Sequence, residues 1–67
     1  MNNSKICNNL KEYLDKHGVS QKWLSDTTGI PYKSLNDMVN GVVNATAVNL
    51  SRIAKALNVE VTIFFRE

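Results

Sequence analysis

The sequence predicts an all-α fold, a compact bundle of short helices forming a single domain over residues 1–67. Three observations carry that expectation. Apolar residues recur at helical rather than alternating spacing in successive segments, the signature of helices with one buried face. Gly18, Gly29, Pro31 and Gly41 fall between those segments, where the chain has to turn. A chain of 67 residues that is 43 % hydrophobic suffices for one core. Such a small domain buries only about 60 % of its unfolded surface, so a deep catalytic cavity or a second domain has no room.

In "SKICNNLKEYLDKHG" the residues Ile6, Leu10, Tyr13 and Leu14 define the first helix, about 4–17, with Ser4 as N-cap and Gly18 as its stop. Ser20 caps a short second helix, about 21–28, in which Leu24 and Thr28 share a face before Gly29 ends it. Pro31 suits the first position of a third helix, about 31–40, because its missing N–H is not needed there and its φ is already helical. Thr46 caps the fourth, about 47–57, along which Ala47, Leu50, Ile53, Ala54 and Leu57 form an apolar stripe. The end, "NVEVTIFFRE", allows two readings. Val59, Val61, Ile63 and Phe65 alternate like a strand, whereas Val61, Phe64 and Phe65 suit a last short helix on the core. The helix is preferred.

Turning 100° per residue, the third helix places Pro31, Leu35, Met38 and Val39 on one side. Lys33, Asn36, Asp37 and Asn40 lie opposite, with Tyr32 on the flank. One face packs and the other is left to touch a partner. Two short helices joined through a glycine, the second with a polar outer face, describe a helix-turn-helix, whose second helix can enter the major groove of DNA. Ser25, Gly29, Ile30, Leu35 and Met38 supply the small residue, the turn and the apolar lock in the required order.

Eight Lys and Arg against six Asp and Glu give a net charge of +2, so the placement of charge matters more than its sum. Cys7 is the only cysteine and is expected to pack, which suits a reducing compartment and excludes a disulfide framework. No apolar run approaches the ~20 residues of a membrane span, and "MNNSKICNN" does not have the pattern of a signal peptide. A soluble, cytoplasmic protein is expected. Without a nucleophile elbow, phosphate loop or ligand cluster, and with His17 the only histidine, neither an enzyme nor a metal, cofactor or small-molecule substrate is expected.

On "LKEYLDKHGVSQKWLSDTTGIPYKSLNDMVNG", "RIAKALNV" and the closing aromatic pair, the chain resembles the Xre type of helix-turn-helix proteins, which includes phage repressors and Cro proteins. The resemblance covers nearly the whole chain. It implies five short helices, a dimer on an operator in double-stranded DNA, and a cofactor-free transcriptional regulator in a bacterial or phage-infected cell. It places Gln21 where relatives hold a phosphate and brace the recognition helix. Tyr32 and Lys33, with Ser34 beside them, stand where that helix first meets base edges; Asn36 and Asp37 follow one turn on, and Asn40 lies near the backbone at its end.

The residue types suit these places unequally. Lys33 can donate to guanine O6 and N7 or to a phosphate, Asn36 can pair with adenine, and Tyr32 can bond a phosphate or pack on a thymine methyl. Asp37 can accept from cytosine N4 but repels phosphate, and so can act as a filter against wrong sites. Ser25 replaces the family's commoner alanine, Ala45 a common proline, and Val42 and Val43 stand where relatives often carry backbone-gripping polar residues. Trp23 is expected to pack over the first helix rather than lean on DNA. Val43, Val48, Ile63 and one of Phe64 and Phe65 are expected to form an exposed apolar patch, the candidate homodimer interface. The low net charge, the valine loop and Asp37 leave a second class open, a protein-interaction module such as an antitoxin or inhibitor that docks on a protein or RNA.

Overall fold

The computed structural model describes residues 3–66, with side chains from Lys5 to Arg66. Four α-helices follow in order: α1 (Asn3–His17), α2 (Gln21–Thr28), α3 (Tyr32–Val39) and α4 (Ala47–Leu57). A 3₁₀ helix, Val61–Phe65, closes the described chain, so the ambiguous C-terminal segment is helical and no strand occurs among the described residues.

Local chemistry explains most of the boundaries. Ser20 Oγ accepts from the Trp23 N–H at 3.0 Å and Thr46 Oγ1 from the Asn49 N–H at 3.1 Å, so both expected caps hold helix starts. α2 stops at Gly29, whose φ of +79° lies in the left-handed region that side chains avoid. α4 stops at Asn58, also left-handed, which asparagine tolerates better than most residues. At the other end α1 already includes Asn3, so Ser4 sits inside the first turn, and its expected capping side chain lies outside the described residues.

Two expectations for α3 are corrected. Pro31 is the N-cap and not the first helical residue: its φ of −54° is helical, but its ψ of 140° is extended, and the helix starts at Tyr32. The ring fixes φ only, and ψ is set by the direction the chain must take out of the turn. Pro31 is accordingly exposed and not part of the packed face. At the far end Asn40 is the C-cap, one residue beyond the helix.

The core joins Ile6, Leu10 and Leu14 of α1 to Leu24, Ile30, Leu35, Met38 and Val39 of the helix-turn-helix, and to Leu50, Ile53, Ala54 and Phe64 from the C-terminal half. Each large side chain in it contributes about 1.5–3 kcal/mol by leaving water. Cys7 is buried beside them, as its packing role requires. Of the α4 stripe, Leu57 is half-buried against the core while Ala47 is exposed, because the first turn of the helix overhangs the packed layer. α1 packs on α3 and on the 3₁₀ helix, α2 on α3 and α4, and α4 on the 3₁₀ helix. α3 is thus held from behind on two sides with its outer face clear.

One long-range polar contact completes the frame. Asn9 Nδ2 donates to the carbonyls of Phe64, at 2.9 Å, and Arg66, at 2.7 Å, tying the C-terminal segment to α1. Nothing in the local pattern around Asn9 announces it.

Candidate nucleic-acid interface

The turn between α2 and α3 is stitched by side chains as well as by backbone. The Gly29 N–H donates to the Ser25 carbonyl at 2.9 Å, and Ser25 Oγ donates to the Ile30 carbonyl at 2.6 Å. Thr28 Oγ1 donates to the Leu24 carbonyl at 2.7 Å and accepts from the Ile30 N–H at 3.2 Å. Ile30 itself is buried and pins the turn to the core. Serine at position 25 is therefore more than a small residue: its hydroxyl satisfies a turn carbonyl that alanine would leave to water.

Leu35, Met38 and Val39 anchor α3, and the first turn of the helix projects outward. Tyr32 is 53 % exposed, and Lys33 and Ser34 are exposed beside it. One turn on, Asn36 and Asp37 are half-buried and Asn40 is exposed. The structure gathers Gln21 onto the same surface, because Asn36 Nδ2 donates to Gln21 Oε1 at 2.9 Å. Asn40 Nδ2 in turn donates to Asn36 Oδ1 at 3.2 Å. Gln21, Asn36 and Asn40 are thus joined by side-chain hydrogen bonds and Lys33 and Asp37 by an ion pair, with Tyr32 and Ser34 exposed on the same turn of α3 as Lys33.

Charge on this surface is partly neutralised from within. Lys33 Nζ lies 3.1 Å from Asp37 Oδ2, the lysine side chain 87 % exposed and the aspartate 25 %. Lys22 is 3.5 Å from Asp26 on the exposed side of α2. By contrast Arg52 and Lys55, on α4, stand in an open groove with Ala47, Val48 and Ser51.

The expected apolar patch divides. Val43 and Val48 are exposed, Val48 to 63 %, and Val42 is exposed with them. Ile63 and Phe65 are half-buried against the core. Phe64 is corrected: at 0 % exposure it is a core residue, set edge-on to Tyr13 at 6.3 Å between ring centroids, and it presents nothing to a second molecule. Trp23 is half exposed and not fully packed; it lines a groove with Tyr13, Val19, Ala56 and Leu57. Among the described residues no His, Cys, Asp or Glu cluster is arranged to hold a metal ion, and no helix is long and apolar enough to cross a membrane.

Two helices locked through a glycine turn, the second with a buried apolar face and a polar outer one, define a helix-turn-helix domain. The helix-turn-helix family model matches residues 10–64, from within α1 through both helices of the motif to the core phenylalanine of the 3₁₀ helix. The chain belongs to the Xre-type helix-turn-helix family, a family of DNA-binding regulators. No curated protein and no solved structure matches it.

Proposed function

We propose that the chain is a transcriptional repressor that binds a double-stranded operator as a homodimer and acts by occluding a promoter. The observation that supports this most directly is the outward first turn of α3, where Tyr32, Lys33 and Ser34 are exposed while the opposite face of the same helix is buried. A helix in that setting presents its N-terminal residues to base edges in the major groove. Lys33 addresses guanine or a phosphate, Tyr32 a thymine methyl or a phosphate, and Gln21 a phosphate from the start of α2. Asp37 limits binding to the wrong sequences. The exposed Val43 and Val48 supply the surface for a second copy, which would set two α3 helices about 34 Å apart along one side of the duplex.

Titration of labelled random duplex at about 50 and about 200 mM salt tests the reading, because phosphate contacts make binding fall steeply with salt. Binding at the lower salt that weakens at the higher, with Lys33→Ala lowering both the affinity and, by about 0.9, the log–log salt slope, supports it. The exposed valines Val42, Val43 and Val48 favour one rival, an antitoxin-like module docking on a protein or RNA. An absence of duplex binding at low salt selects that rival.

A further inference from the structure

We propose that the outer groove of α4 is a docking site for an acidic, apolar segment of a different protein, and that this partner competes with the second copy for Val48. The docking site goes beyond the DNA-binding reading, and only the consequence of the competition rests on it.

The helices handle their charges in two ways. On α2 and α3 each lysine has an aspartate four residues on, Lys22 with Asp26 at 3.5 Å and Lys33 with Asp37 at 3.1 Å. α1 intersperses Glu12 and Asp15 with Lys11 and Lys16. α4, "AVNLSRIAKAL", has two cations and no carboxylate. One turn before Arg52 and Lys55 stand Val48 and Ser51, and among the described residues neither cation makes an ion pair. Ala47, Val48, Ser51, Arg52 and Lys55 are all exposed and line one open groove, apolar toward the start of the helix and cationic toward its end.

This mixture selects its occupant. Arginine and lysine stems pack on apolar groups while their heads seek carboxylates, Arg52 as a two-bonded fork and Lys55 as a point charge. A segment with Asp or Glu one helical turn from a large apolar side chain answers both ends of the groove at once. A duplex backbone would meet the cations but set charged phosphate against Val48, and none of the groove's residues belongs to the surface of α2 and α3 expected to address DNA. A second copy would bring valine to Val48, but a two-fold interface uses the same patch on both subunits, so its own Arg52 and Lys55 come too and α4 has no carboxylate to receive them. The copy fits the apolar end of the groove, and the acidic partner fits all of it. Bound there, the partner would displace the copy and release the operator.

The test begins with peptide selection on the folded chain. Immobilised wild-type protein, panned against a displayed library of random peptides, should enrich sequences with Asp or Glu near a large apolar residue; an enriched peptide, fluorescently labelled, is then titrated by anisotropy. Neutralising both cations with Arg52→Gln and Lys55→Gln should weaken that peptide about tenfold, the worth of two exposed ion pairs, and leave the salt slope of duplex binding unchanged. Panning the Arg52→Glu, Lys55→Glu variant, with circular dichroism confirming its helices, should enrich basic peptides instead. Saturating peptide should convert the wild-type dimer to a one-to-one complex in sedimentation. Enrichment of peptides without acidic residues, or an affinity that the neutral variant leaves unchanged, overturns the docking site. A duplex salt slope that falls in the neutral variant also overturns it and assigns the groove to DNA. A dimer that persists under saturating peptide overturns the competition. Protein that binds the acidic peptide and no duplex upholds the docking site and removes the repressor reading instead.

Discussion

Replacing Asp37 by asparagine removes the one carboxylate on the outer face of α3, and the structure allows its effect to be worked out. The pair it forms with Lys33 spans one helical turn at 3.1 Å, with the lysine almost fully in water. Such i,i+4 pairs contribute about 0.2–0.5 kcal/mol, toward the low end when the cation is the N-terminal partner, so the fold should lose less than about 0.5 kcal/mol. On DNA the balance reverses. Lys33 no longer has to leave its partner, which returns about the same 0.2–0.5 kcal/mol. A carboxylate about 8 Å from a phosphate in a water-like dielectric no longer repels it, a further ~0.5 kcal/mol. Together the gain is about 1 kcal/mol, or roughly fivefold tighter binding. Since this is paid back by phosphate and not by bases, Asp37→Asn should tighten random duplex more than a selected operator and steepen the salt slope by up to about 0.9. Fluorescence anisotropy over a salt series on both duplexes measures this, with a thermal melt confirming the fold. Random-duplex affinity and salt slope that match wild type would show that Asp37 does not restrain Lys33, and the filter would have to be abandoned.

Three further outcomes are expected. Phe64→Ala should cost about 3–5 kcal/mol, against roughly 3–10 kcal/mol of total stability for a domain of this size; a urea transition by circular dichroism that keeps the wild-type midpoint would contradict its burial. Gly29→Ala should cost about 1–2 kcal/mol through backbone strain alone, because the added Cβ meets nothing within 4 Å; an unchanged melting temperature would exclude the left-handed turn. The proposed dimer should sediment as such at high micromolar concentration, and Val48→Asp should drive it to monomer with helicity intact; wild-type protein that sediments as a monomer would remove that interface.

Much of this frame is legible in the sequence because its signals are local. Ser20, Thr46 and Gly29 declare their helix ends within a few residues, and α2 and α4 have the expected bounds. What escapes is set by distant partners. Periodicity gives the angle at which Ala47 and Pro31 leave their helices but not how far the packed layer extends, and both overhang it. The C-terminal segment is ambiguous in the sequence because Val59, Val61, Ile63 and Phe65 alternate like a strand, whereas in the 3₁₀ helix, which repeats every three residues, Val61 and Phe64 share the inner side. The candidate site divides the same way. The outward placement of Tyr32, Lys33 and Ser34 follows from helix geometry, whereas the engagement of Asn36 depends on Gln21 arriving from another helix. Ser25 was legible as a small residue, but its bond to Ile30 needed the turn itself.

The clasp that Asn9 makes on the carbonyls of Phe64 and Arg66 also orders events in time. The two ends of the first bond are 55 residues apart in the chain, so at ribosomal rates of about 5–20 residues per second the asparagine is made about 3–11 s before its acceptor. Throughout that interval the apolar stripe of α1 has no 3₁₀ helix to close over it. A chain truncated before Phe64 would keep that stripe open, because it would lack both the buried ring that covers it and the carbonyl that Asn9 holds.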